Sequence, residues 1–228
     1  MIKWQTVLPL VNESKKVAIL LRHGAREPFL AGSLGIDIPL TEEGITQSIA
    51  LGKNLQSIPL KAIYTSPLKR CMQTAEAIQE GLNKNLPIHE SALLGDPGPF
   101  VEDPAQASLL FLQLHFKEIG DLLLQDISLL GMRSCREGVH LFLNYLFHIE
   151  TFPCLMISHD IIIALITAFL NRYSSLNSCI PDFLEGVVIA LEEEGITLYS
   201  KGHKTTILYK SDLLTGLTLT SEKGSIKS

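Results

Sequence analysis

Residues 17–28 read V-A-I-L-L-R-H-G-A-R-E-P, and the fold turns on how this stretch is taken. Val17 to Leu21 form an apolar run too short for a membrane span and too uniform for a strand with one wet face. They predict a strand in the middle of a parallel sheet. The chemistry begins where that strand stops. Arg22, His23 and Arg26 crowd potential cations around Gly24, a residue that allows a tight turn and a close approach of backbone to a ligand. Such a cluster suits an oxyanion. Guanidinium groups grip phosphate bidentately and stay charged at any working pH. A neutral imidazole between them can attack phosphorus, because the neighbouring cations disfavour its protonation. The competing reading of the tripeptide alone is a surface loop with two salt-bridging arginines and a capping histidine.

The remaining sequence bounds the answer. At 228 residues with 46% hydrophobic content, the chain can build a substantial core. One domain is expected over residues 1–228, with an insert at about 90–133 and a loose tail from about 218. A formal net charge of -5 argues against a broad nucleic-acid surface. Cys71, Cys135, Cys154 and Cys179 are scattered without a C-x-x-C pair and read as reduced, buried thiols. The N-terminal residues lack an apolar core and a small-residue cleavage site, so a cytoplasmic location is expected. The greasiest stretch, 152–170, is interrupted by Ser158-His159-Asp160 and reads as strand, turn and helix rather than a membrane span.

Along the chain, Lys15 and Lys16 are placed on a loop leading into the first strand, and residues 29–39 on a loop bordering a pocket mouth. Thr41 is the expected N-cap of a helix whose first turn holds Glu42 and Glu43. A short strand at 61–65 precedes Ser66-Pro67, read as N-cap and first helical residue. Arg70 follows in the first turn. A cation there opposes the helix dipole, which suggests an anion supplying the compensation. Gln73 and Thr74 are taken as packing and capping residues. Asp96, Glu102 and Asp103 fall in a Pro-rich loop and read first as turn and cap formers. Residues 134–147 return to a helical period. His89, His115, His140, His148 and His203 are isolated and show no metal-ligand spacing. A third apolar strand, 154–157, ends in Ser158-His159-Asp160. Three strands thus carry polar reactive groups just past their carboxyl ends, where open α/β sheets bind ligands. Two strand-like runs at 185–191 and 196–199 suggest a hairpin.

Taken together, Arg22-His23-Gly24 with Arg26 and Pro28, the segment S-P-L-K-R-C-M-Q-T-A-E containing Arg70, and His159-Asp160 resemble the histidine phosphatase superfamily, with its phosphoglycerate mutase-like fold. R-H-G-x-R-x-P is closer to the acid phosphatase and phytase branch. The resemblance covers roughly residues 17–200. It implies a three-layer α/β sandwich with a mainly parallel central sheet and a small helical insert near the active site. It also implies a metal-independent phosphatase without cofactor, acting on a small-molecule or protein phosphomonoester through a phosphohistidine on His23. Inorganic phosphate or its analogues would inhibit. By resemblance, Arg22, Arg26, Arg70 and His159 hold the phosphoryl oxygens and Asp160 protonates the leaving oxygen, with Asp96 or Glu102 from the insert as the alternative acid. The rival readings are a phosphoglycerate mutase-like phosphotransferase and a non-catalytic phosphate-recognition protein.

Overall fold

The computed structural model describes residues 7–13, 16–29, 35–193, 195–200, 203–208 and 221–224. The expectations for Lys15, for part of the 29–39 loop and for most of the tail lie outside these residues.

The apolar run at 17–21 lies within strand β1, Lys16–Arg22, whose burial is complete over those positions. Alternate side chains serve opposite faces of the sheet. Ala18 and Leu20 join one apolar cluster, while Val17, Ile19 and Leu21 join the other. Lys16 belongs to this strand and not to the loop before it.

Helix α1 spans Val7–Glu13, α2 Glu42–Asn54 and α3 Lys69–Leu82. They cover one face through Val7, Leu51, Leu55, Ala75 and Ile78. The opposite face packs against α5, Phe116–Leu124, α6, Cys135–His148, and α7, Asp160–Asn171. Ile119, Val139, Phe142 and Ile166 carry that contact. The remaining elements are strands β2, Ala62–Thr65, and β3, Ile88–Glu90; helix α4, Pro104–Gln113; and strands β4, Cys154–Ser158, β5, Gly186–Glu192, β6, Gly195–Ser200, β7, His203–Leu208, and β8, Ser221–Gly224. The result is the three-layer α/β sandwich expected from sequence.

The sheet order is β3-β2-β4-β1-β5-β6-β7-β8. Its first four strands are parallel, but β5 to β8 run antiparallel to their neighbours, starting with β1. The sheet is therefore mixed, and only its N-terminal half answers to the parallel description. Connection length accounts for the β5-β6-β7 part: parallel neighbours need a crossover, whereas the short links after β5 and β6 permit only hairpins. Strand β8 brings part of the tail expected to be loose into the sheet.

Register places the site. Arg22 pairs with Ser158, and Thr65 pairs with Ile157, so β1, β4 and β2 finish level with one another. The residues just beyond their carboxyl ends, His23, His159 and Ser66, consequently emerge side by side at the crevice where parallel sheets bind ligands.

The insert forms two helices. Asp103 caps α4 through bonds from the Ala105 and Gln106 amides. Thr41 caps α2, as expected, and Ser134 with Glu137 forms a capping box on α6. All four cysteines are buried and outside any disulfide. Among the described residues, no helix is long and apolar enough to cross a membrane.

Candidate active site

His23 stands at the centre of the crevice and is 2% exposed. Its Nδ1 lies 2.8 Å from the Gly24 carbonyl oxygen, an acceptor, so Nδ1 carries the proton. Nε2 then holds the lone pair and accepts from Arg70 Nε at 3.2 Å. His159 is arranged with the opposite tautomer. Arg70 Nη2 donates to its Nδ1 at 3.3 Å, leaving the Nε2 proton for Ser66 Oγ at 3.1 Å. The two rings meet edge to face with centroids 5.4 Å apart.

Both imidazoles are held neutral. Burial pushes the pKa of His23 down to about 3, and the cations Arg70, Arg22 and Arg26 push in the same direction, against the bond to the Gly24 carbonyl. His159 is lowered well below the ordinary histidine value by burial first, then by Arg70. Near neutral pH, His23 Nε2 is thus an unprotonated base inside a ring of guanidinium groups.

Those groups are positioned separately. Arg22 ends β1, where Nη2 meets Asp160 Oδ2 at 2.7 Å, Nη1 donates to the Pro181 carbonyl at 2.9 Å, and the guanidinium lies 4.2 Å from the Phe183 ring centroid. Arg26 lies 3.6 Å above the Phe29 ring centroid, with its pKa lowered to about 10 by burial and then by Arg70 and Arg22. It remains charged at neutral pH. Arg70 donates through Nη1 to the Gly35 carbonyl at 2.7 Å. Arg22 Nε and Arg26 Nε are buried without a hydrogen-bond partner among the described residues. Such donors are costly unless an acceptor meets them.

Sequence reasoning missed several supporting residues. Thr74 accepts the Gly24 amide at 3.0 Å and donates to the Arg70 carbonyl at 2.7 Å, joining the first loop to α3. Gln73 Oε1 accepts the Leu40 amide at 2.9 Å. Both tether the loop rather than merely packing or capping. Ser66 is not the helix cap: α3 starts at Lys69 after Leu68, and the Ser66 hydroxyl meets His159 and the Leu68 amide instead. Gly24 serves the approach of α2 rather than an unusual turn, since a Cβ there would lie 2.9 Å from Ser48 Oγ and 3.1 Å from the Gly44 carbonyl. Gly95 has the stricter requirement. Its φ is 141°, and a Cβ would fall 2.3 Å from His159 Cδ2 and Nε2.

The crevice opens into a cavity of about 210 Å³ lined by His23, Arg26, Arg70, His159, Asp160 and Asp96 at its polar end. Asp160 uses Oδ2 for Arg22 and Oδ1 for the Ile161 amide at 2.8 Å. Glu102, the other insert carboxylate, is exposed and outside this lining. Among the described residues, no group of three or more His, Cys, Asp or Glu is placed to hold a metal.

Residues 18–96 match the family model of the histidine phosphatase superfamily (branch 1). This segment contains Arg22, His23, Arg26, Arg70 and Asp96 and ends before His159. The 2,3-bisphosphoglycerate-dependent phosphoglycerate mutase of Thermoplasma acidophilum is 38% identical over 74 residues, 31% of this chain and 37% of that protein. The matched segment spans about a third of the length of such curated relatives. Among solved structures, the alpha-ribazole phosphatase of Shigella flexneri superposes with a TM-score of 0.57 at 18% identity, covering 80% of this chain and 94% of that one. The phosphoserine phosphatase of Entamoeba histolytica gives 0.56 at 19% identity, covering 81% and 95%. Residues 18–96 thus resemble the histidine phosphatase superfamily, and the overall fold is shared with these two solved phosphatases. The acid phosphatase likeness rests on Arg26 and Pro28 and on Asp160 following His159, and the matched family model is that of branch 1.

Proposed function

We propose that the protein is a phosphomonoester hydrolase that works through a phosphohistidine on His23. The observation that carries this reading is the neutral His23 Nε2, whose lone pair points into a cluster of three arginines and accepts from one of them. A phosphoryl oxygen would accept from the buried Arg22 and Arg26 Nε groups, and Arg70 would turn its fork from His23 onto the phosphoryl group. Attack by Nε2 in line with the ester bond then forms the P–N bond as the P–O bond breaks. The arginines spread charge from the non-bridging oxygens.

His159 is the further phosphoryl ligand in this mechanism. The neutral ring carries its proton on Nε2, which would turn from Ser66 Oγ to donate to a phosphoryl oxygen. The leaving oxygen takes its proton from the protonated form of Asp160, which must first release Arg22 from Oδ2, or from protonated Asp96 on the insert loop; both side chains line the cavity. Water subsequently attacks the phosphohistidine and regenerates His23. The residues carry these steps without a metal or cofactor. The four buried cysteines, none in a disulfide, support a reducing, cytoplasmic setting.

Metal-free hydrolysis of p-nitrophenyl phosphate, with competitive inhibition by vanadate, is the test. Transfer of the phosphoryl group only to a second sugar acid would favour the mutase-like alternative. Phosphate binding without turnover would favour the recognition protein.

A further inference from the structure

Beyond the phosphoryl cluster, the cavity changes character abruptly. Arg26 stacks on Phe29, Phe29 meets Phe116 edge to face at 6.3 Å between centroids, and Phe116 meets Phe111 at 5.1 Å. An aromatic wall therefore runs directly from a phosphate-binding guanidinium into the insert. Helix α5 extends it with Ile119 and Leu123, which share a face with Phe116 at helical spacing.

The charges present are those of the phosphoryl site. Among the described lining residues, Arg26 and Arg70 are the only arginines and no lysine joins them, while Asp96 and Asp160 supply negative charge. Between Arg26 and Lys53 the sequence has no cation. One phosphoryl group can be neutralised here. A second phosphate, or a carboxylate on the leaving group, would lie against aromatic rings and two aspartates with no cation of its own, and a buried unpaired charge is strongly unfavourable.

We infer that the substrate is the phosphomonoester of an apolar alcohol, whose hydrocarbon part lies along the Phe29–Phe116–Phe111 wall, and not a phosphorylated sugar acid or amino acid. This rests on the phosphatase reading above. It narrows that reading to a substrate class chosen by burial of hydrocarbon, with one anionic group held at His23.

The test is a homologous series of n-alkyl phosphates from ethyl to heptyl, kept below micellar concentrations, alongside 3-phosphoglycerate and O-phosphoserine. Leaving-group basicity is nearly constant from ethyl upward, so the slope of kcat/KM reports burial. Each methylene buried should raise kcat/KM by about fourfold, on the order of 10³-fold across the series. The two carboxylate substrates should fall on the order of 10²-fold below heptyl phosphate. Phe116→Ser should flatten the slope. Calorimetric binding of the corresponding n-alkylphosphonates to the unmodified protein supplies a readout that needs neither turnover nor a folded variant.

Turnover with a flat slope, or a preference for 3-phosphoglycerate, overturns the apolar-substrate inference and leaves the hydrolase reading standing. Phosphonate affinity that climbs with chain length in a protein that turns over none of these esters supports the apolar pocket and refutes the hydrolase. Failure of both rejects both.

Discussion

Replacing Gly95 by alanine should separate the positioning of His159 from the stability of the loop that carries Gly95. Gly95 has φ 141° and ψ 151°, a region that only glycine occupies without strain, at a cost of about 1–3 kcal/mol for any other residue. The added Cβ would also lie 2.3 Å from two atoms of the His159 ring and 2.8 Å from Ser66 Oγ. The ring is buried among Ser66, Cys71 and Arg70, so it must rotate and give up its bonds to Ser66 Oγ and Arg70, each worth about 1 kcal/mol. The expected loss is about 3 kcal/mol, or roughly 6–12 °C in Tm for a domain of this size. If His159 holds the phosphoryl group, kcat should fall by about 10²-fold. Gly98→Ala is the comparison, because it imposes a positive φ of 87° on the same loop but points its Cβ at Ile162 Cδ1, 3.0 Å away. Thermal unfolding and p-nitrophenyl phosphate turnover should show both variants destabilised and only Gly95→Ala strongly impaired in kcat. Unchanged Tm and kcat in Gly95→Ala, or equal kcat losses in the two variants, would refute the placement of His159.

The identity of the acid is read from leaving-group dependence: p-nitrophenolate departs with little protonation, whereas an alkoxide needs a proton. Asp160→Ala should therefore slow hydrolysis of ethyl phosphate at least 10-fold more than that of p-nitrophenyl phosphate, and the same selective loss in Asp96→Ala instead would move the role to the insert. A further expectation concerns stability against pH. His23 has a folded pKa of about 3 and His159 is also depressed. Below pH 6.5 the unfolded chain consequently binds more protons, and stability falls as pH drops from about 6.5 toward 3. Urea unfolding between pH 7 and 5, above most carboxylate titrations, should show a slope of roughly 1 kcal/mol per pH unit for each histidine. His23→Asn should remove about one proton from that slope, and an unchanged slope would contradict the buried neutral state.

The parallel half of the sheet was legible because β1 and β4 are apolar on both faces, as strands in the middle of a three-layer sandwich must be. Reactive residues placed directly after those strands were legible for the same reason, since strand ends mark the crevice. The antiparallel half was only partly visible. The hairpin around residues 192–195 could be read from its turn, but pairing of β5 with β1 is a long-range contact without a local signal. Supporting residues were hidden more deeply. Ser66 precedes a proline and resembles a cap, yet its hydroxyl is claimed by His159 from another strand. Phe183 and Pro181 reach Arg22 from a segment distant in sequence, and Gly95 is required by a histidine in the third motif. The aromatic wall of the insert reads in sequence as ordinary helical apolar residues, because only the tertiary arrangement shows that Phe111 and Phe116 line a cavity rather than a closed core.

The covalent intermediate is the most direct test of the mechanism. Protein mixed with ³²P-labelled substrate should be quenched in alkali within a single turnover, because phosphoramidates survive base and hydrolyse in acid, and the labelled peptide then mapped. Label on the peptide containing His23, lost on acid treatment and absent from a folded His23→Ala variant, is the expected result. Turnover with no protein-bound label under those conditions, or with the label on a different residue, would contradict a mechanism centred on His23 Nε2.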